Sequence, residues 1–284
     1  MSRRTRLLRL AAAGVAVAAL ALTGCASAGT PSATTSGSDE GWVTPGKITI
    51  ATGEPAYYPW VIDDDPASGE GFEAAVAYAV AEQLGFGADD VVWVRTGFEE
   101  AIAPGPKDFD FNLQQFSISD ERKQSVDFSS PYYETTQVVV TTASSPAADA
   151  TSIADLADLL IGAQTGTTSF TAIEEVIQPT QGAQAFNSND DAKLALENGQ
   201  VDAIVVDLPT AFYISGVELT DGVLVGQLPT ADGESGDQFG LVLAKDSPLT
   251  EKVTAAVDAL REDGTLDELA SEWLGGEGQA PLLK

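Results

Sequence analysis

The sequence predicts an α/β protein built from two successive units, and three observations predict it. Short β-prone runs alternate with stretches of helical spacing along most of the chain, the order that makes a parallel or mixed sheet with helices on its faces. One long β-prone run, Tyr132 to Thr142, leads into a polar, Pro-containing stretch at 143–150, after which a new set of elements begins. The length of 284 residues, 44% hydrophobic and 20% charged, suits one large globular domain or two ordinary ones.

The first residues stand outside that fold. Arg3, Arg4, Arg6 and Arg9 form a positive segment, and Leu10 to Leu22 is an apolar run shorter than the roughly 20 residues of a membrane span. Leu22-Thr23-Gly24-Cys25 follows and resembles the lipobox of bacterial lipoproteins. That resemblance implies cleavage of a signal peptide, 1–24, and a lipid on Cys25 that anchors the chain outside the cytoplasm. Arg6 falls where a twin-Arg export signal prefers an apolar residue, which favours the general secretory route. Residues 25–46, rich in Ala, Ser, Thr, Gly and Pro, read as a flexible tether.

From there the elements run in order. Lys47–Thr52 alternates as a strand, and Phe72–Leu84 carries apolar residues at helical spacing and stops before Gly85. Val91–Arg95 is β-branched, Phe98–Ala103 a short helix, and Phe109–Gln115 a further alternating strand. Past the polar stretch come a helix at Ile153–Leu159, a strand at Leu160–Ala163 and helices at Thr167–Ile177 and Asn187–Glu197. Val201–Val206 reads as a buried strand, Val223–Val225 as a short one and Phe239–Ala244 as a longer one. Helices at Pro248–Arg261 and Leu266–Trp273 end the chain.

Composition removes several function classes. There is no His, so His triads, His metal sites and His general bases are excluded. The whole chain carries a net charge of −29, and without its first 24 residues ten basic side chains face 43 acidic ones. Such a charge argues against nucleic acid and against adhesion to anionic lipid. It also makes each remaining cation worth examining. Arg122 is the one Arg between Arg95 and Arg261. Its plain alternative is a surface pairing with Asp120 or Glu121; the functional one is a bidentate clamp on a carboxylate, with Ser117 and Ser119 as hydroxyl donors nearby. Asp63-Asp64-Asp65 lacks the spacing of a calcium loop, and Asp232, Glu234 and Asp237 read as a crossover loop, so no metal and no cofactor is expected.

Ser117-Ile118-Ser119-Asp120-Glu121-Arg122, then Val126-Asp127-Phe128-Ser129 and Pro131-Tyr132-Tyr133, are similar to the signature of family 3 extracellular solute-binding proteins, the amino-acid receptors of ABC importers. The order of elements matches from about Lys47 to Trp273. The resemblance implies a periplasmic-binding-protein-like fold of type II, two lobes joined by two crossovers, with lobe 1 at 47–136 and 237–284 and lobe 2 at 137–236. It implies that Arg122 binds the ligand's α-carboxylate, helped by Ser117 and by the Thr167-Thr168 turn after Gly166, and that Asp207 takes the α-ammonium. The alternative for Asp207 is a helix cap before Leu208-Pro209. Glu54 and Tyr57 match positions that contact the ligand side chain, and Trp93 matches a pocket aromatic. Gln114-Gln115 stands where the family has small residues, and Glu54 where Asp is common. These point to a cationic or amide-bearing amino acid as ligand. The implied partners are that amino acid and a membrane permease, with the receptor a monomer. Two alternatives share the fold: a cyclohexadienyl dehydratase-like enzyme using Glu54 or Glu134 as acid and base, and a ligand-sensing receptor.

Overall fold

Two five-stranded sheets carry the structure, a computed structural model that describes residues 41–230, 236–275 and 280–284. The signal segment, Cys25 and most of the expected tether lie outside the described residues, as do Asp232 and Glu234. The first sheet has the order β2 (Val91–Arg95), β1 (Ile48–Thr52), β3 (Phe111–Asn112), β10 (Asp237–Ala244) and β4 (Val126–Thr135). The second runs β7 (Gln184–Phe186), β6 (Ile161–Gln164), β8 (Ala203–Asp207), β5 (Gln137–Thr142) and β9 (Gly222–Gln227). Within each, β1, β2 and β3 or β6, β7 and β8 are parallel, while β10 and β5 run antiparallel to their neighbours.

The alternation of side chains across each strand decides what packs where. In the second sheet Val138, Val140, Ile204 and Val206 join one cluster, with α4 (Asn189–Glu197) and α5 (Leu208–Tyr213). Val139, Ala203 and Val205 turn to the other face with Ile173 and Ile177, beyond α3 (Thr168–Ala172). That split is the period of two a pleated strand imposes. In the first sheet Ile48, Ile50, Phe111, Leu241 and Leu243 pack against α1 (Phe72–Gln83), α6 (Thr250–Glu262) and α7 (Thr265–Trp273). The opposite face holds Ala51, Phe109, Phe116 and Val242 against α2 (Phe98–Ile102). No helix among the described residues is long and apolar enough to cross a membrane.

The β-prone run through Thr142 is where the chain changes sheets. It parts at Thr136, whose carbonyl accepts from Leu208 N, leaving β4 in the first sheet and β5 in the second. The return comes between β9 and β10. Other elements differ from expectation in extent. Phe109–Gln115 keeps only two residues as strand, and Gln115 takes a positive φ of 52° that ends the extended path. The helix expected at Ile153–Leu159 is a single 3-10 turn, Ile153–Leu156. The strand β7 carries no apolar run, only Gln184-Ala185-Phe186 at the sheet edge, so its sequence gave no signal.

Both chain ends depart from the expected boundaries. Trp42, expected in the tether, packs edge-on to Phe86 at 4.9 Å, and Val43 N donates to Asp110. An indole that finds an apolar partner folds down rather than staying in water. The last residues, expected with the first lobe, lie on the second sheet. Gln227 N donates to Pro281 O, Leu283 N to Gln227 O and Ile153 N to Lys284 O, and Leu283 is 3% exposed in that core. Gly226 permits this approach, since a Cβ there would sit 2.6 Å from Pro281 O. Leu283→Ala is expected to lower unfolding stability by about 2–4 kcal/mol, the cost of truncating a buried Leu. Urea denaturation measures it; a loss under about 0.5 kcal/mol would show the tail to be only loosely seated.

Candidate functional site

The parallel strands of both sheets aim their carboxyl ends at one cavity of about 150 Å3, the place where open α/β sheets present ligand-binding loops. The first sheet contributes the loop after β1 with Glu54 and Tyr57, Phe98 after β2, and Gln114 and Gln115 after β3. The second contributes Thr167 and Thr168 after β6, Ser188 after β7 and Asp207 at the end of β8. Direct bonds bridge the two walls: Ser117 Oγ lies 3.0 Å from Thr168 Oγ1, and Trp60 Nε1 donates to Thr210 Oγ1 at 3.0 Å. Outside the cavity Tyr58 and Tyr213 stack at 4.3 Å.

Arg122 sits on a 3-10 turn just ahead of β4. Its Nη1 donates to Ser117 O at 2.7 Å and its Nη2 across the cavity to Gly166 O at 2.9 Å. Gly166 has φ of 74°, a turn that presents this carbonyl and places Thr167 as N-cap of α3, its Oγ1 accepting from Phe170 N. The guanidinium carbon lies 5.5 Å from the centre of the Phe98 ring. Burial pulls the Arg122 pKa down while the charges of Asp237 and Asp207 hold it up. Two of five N–H groups are spent, so the fork keeps donors for an anion.

Asp207 ends β8 beside the first residue of β5. Gln137 Nε2 donates to Asp207 Oδ1 at 2.9 Å and to Asp237 Oδ2, the first residue of β10, at 2.6 Å, while Gln137 Oε1 accepts from Ser169. One amide therefore spans both crossing strands and the end of β8. Burial, then the charge of Asp237, pushes the Asp207 carboxyl up to about 7. Beneath the cavity Glu73, in the first turn of α1 and 1% exposed, accepts from Gln115 N at 2.8 Å, from Gln115 Nε2 and from Tyr132 OH. Burial pushes Glu73 to about 7 against those three donors. Tyr57 is pushed up to about 12 by burial and by the charge of Asp190.

Of the side chains expected at a site, Glu54, Tyr57, Gln114, Gln115, Arg122, Thr167, Thr168 and Asp207 line the cavity. Ser117 stands behind that wall, buried, its carbonyl holding Arg122 and its hydroxyl on Thr168. Trp93 is not there. Its position on β2 turns it toward Tyr78, whose hydroxyl accepts from Trp93 Nε1 at 3.3 Å. Ser119 accepts from Arg122 N and only braces the turn. Glu134 points away, accepting from Gly236 N and Gln238 Nε2. Sequence reasoning missed Trp60, Glu73, Phe98 and Gln137. Glu73 had one signal, a carboxylate among apolar neighbours on the buried face of a helix; Gln137 had none, being an ordinary polar residue at a strand start.

Comparison with known proteins fits this geometry. Residues 48–276 match the bacterial extracellular solute-binding proteins, family 3. A probable histidine-binding protein of Campylobacter jejuni is 30% identical over 231 residues, covering 80% of this chain and 85% of that one. An L-arginine-binding protein of Pseudomonas aeruginosa is 29% identical over 78% and 85% of the two chains, and the Escherichia coli L-cystine-binding protein TcyJ 30% over 79% and 81%. Among solved structures, an ancestral arginine-binding protein bound to arginine superposes with a TM-score of 0.66 at 28% identity, covering 80% and 98%. The ancestral amino acid-binding protein AncCDT-1, a precursor of cyclohexadienyl dehydratase, gives 0.65 at 28%, covering 81% and 95%. The two mixed sheets are those of the type II periplasmic-binding-protein fold, and the chain belongs to the family 3 bacterial extracellular solute-binding proteins.

Proposed function

We propose that the chain is the substrate-capture protein of an ABC importer, taking up a polar amino acid, cationic or amide-bearing, in the cavity between its lobes. One observation carries this reading: a half-buried Arg and a half-buried carboxylate, Arg122 and Asp207, line one cavity from opposite sheets. That is the charge pattern a zwitterion requires. Arg122 receives the α-carboxylate with its spare N–H groups, Thr168 adds a hydroxyl, and Asp207 takes the α-ammonium. Glu54, Tyr57, Gln114 and Gln115 surround the side chain. A ligand held by both walls stabilises the closed arrangement, which a permease can recognise.

Names of relatives support a receptor rather than a catalyst, since those matched are binding proteins for histidine, arginine and cystine. The enzyme alternative draws on Glu54 and Glu73 in the cavity and on the likeness to a dehydratase precursor. Prephenate or arogenate turned over to an aromatic product would establish it. The LTGC motif supports a lipid on Cys25 and attachment outside the cell membrane. Mass spectrometry of the membrane-extracted chain, with Cys25→Ser as control, tests the anchor.

Arg122→Ala is expected to weaken binding of the cognate amino acid by about 3–5 kcal/mol, over a hundredfold, because the ligand carboxylate stays buried and unpaired. The ligand is found by a thermal-shift screen of the twenty amino acids, and calorimetry measures the loss. Unchanged affinity would remove Arg122 from the site.

Asp207 adds a pH dependence. Folded, it keeps its proton up to about 7; unfolded, it releases it near 3.8. Between those values the folded state binds the extra proton, so stability of the free protein falls as pH rises from about 4 to 7 and then levels. Glu73 acts in the same direction. The ligand's ammonium needs the ionised form, so affinity is expected to be about tenfold weaker at pH 6 than at pH 8. Melting curves across pH should show a shallower fall in Asp207→Asn; an identical slope would refute the assignment.

A further inference from the structure

Glu73 is a buried carboxylate at the cavity for which the binding scheme above has no task. It is held by three donors: the backbone N–H of Gln115 at 2.8 Å, the Gln115 side-chain amide nitrogen and the Tyr132 hydroxyl. An ionised carboxylate only accepts hydrogen bonds. It therefore fixes which end of the Gln115 amide faces it, the nitrogen. Gln115 also lines the cavity, and its backbone is held at φ of 52° with its N–H on the same carboxylate, so the side chain has no second course.

We infer that Glu73 is a positioning residue for ligand selectivity: by engaging the amide nitrogen of Gln115, it turns Gln115 Oε1 to the cavity and makes that part of the floor an acceptor. This rests on the amino-acid reading above and narrows it. Such a floor takes a side chain whose head group only donates, a guanidinium or an ammonium. An amide or ureido head of similar size brings its own oxygen against Gln115 Oε1 and leaves a polar pair unmatched. Glu54 adds a further acceptor on the same wall as Gln115. Arg122 keeps two N–H groups on Ser117 O and Gly166 O and has the rest free for the α-carboxylate rather than for the side-chain head group. Glu73 lines the cavity but is 1% exposed with its carboxylate held by three donors, so it acts on the ligand through Gln115.

Arginine and citrulline differ by one head-group atom, a nitrogen in the first and an oxygen in the second, and so read this polarity directly. Calorimetry at pH 8, where Glu73 is ionised, would compare both on the protein and on Glu73→Gln. The expected result is arginine at least about tenfold tighter than citrulline on the unchanged protein, the size of one unmatched polar group. In Glu73→Gln the amide can turn either way, and the preference should shrink to about threefold or less. Gln115→Met removes the amide while leaving Glu73, and should shrink the preference similarly if Glu73→Gln does not fold. Citrulline bound as tightly as arginine, or a preference unaltered in the variants, would overturn the role of Glu73 while leaving amino-acid binding intact. A protein that binds none of the twenty amino acids would overturn the receptor reading itself, and this inference with it.

Discussion

One cation among carboxylates governs the centre of this molecule. Arg122 reaches from a turn on the first lobe to the Gly166 carbonyl on the second, with Asp207 and Asp237 close enough to hold its charge. In a chain with a net charge of −29, carboxylates repel one another wherever they gather. The half-buried Arg122 guanidinium bonds to Ser117 O on one wall and Gly166 O on the other, with the charges of Asp237 and Asp207 beside it. Phe98 beneath it and Ser117 behind it keep the fork aimed inward rather than out to the many acidic groups on the surface.

The same economy appears where the chain crosses between sheets. The crossing strands β5 and β10 begin with Gln137 and Asp237, and the Gln137 amide joins them while also touching Asp207. The group expected to receive the ligand's ammonium is thus bonded to the side chain that joins the two crossing strands. A charge arriving at Asp207 alters what Gln137 can share with Asp237.

Much of this was legible in the residues. Strand and helix order, the two sheets and the change of sheet near Thr136 follow from period-two runs and from turn chemistry, because those signals are local. Arg122 drew notice because an isolated Arg in an acidic chain stands out, and the likeness to the family signature is what pointed it at a carboxylate. What was hidden depends on non-local contact. Trp93 reads as a pocket aromatic until β2 is placed, when the alternation of the strand turns it to Tyr78. Gln137 has no local signature, since its role exists only once three strands meet. The C-terminal tail has no local signature, and the close approach at Gly226 with Leu283 set into the second core shows why it docks there.

The balance of charge in the cavity carries the argument furthest. Among the described residues Glu54, Glu73 and Asp207 line it with Arg122 as the one cation, and both Glu73 and Asp207 are pushed up to about 7 by burial. Near neutrality the empty site therefore retains protons that a cationic ligand can displace. A zwitterion with an uncharged side chain satisfies Arg122 and Asp207 and leaves the floor as it was. One with a cationic side chain also meets the acceptors around Glu73, letting that carboxyl ionise against a partner. Each buried proton released in exchange for a ligand charge keeps the charge of the site unchanged, and below about pH 7 its release draws on part of the ligand's binding energy. Closure and side-chain charge are in this way one process, and the acidic floor is what joins them.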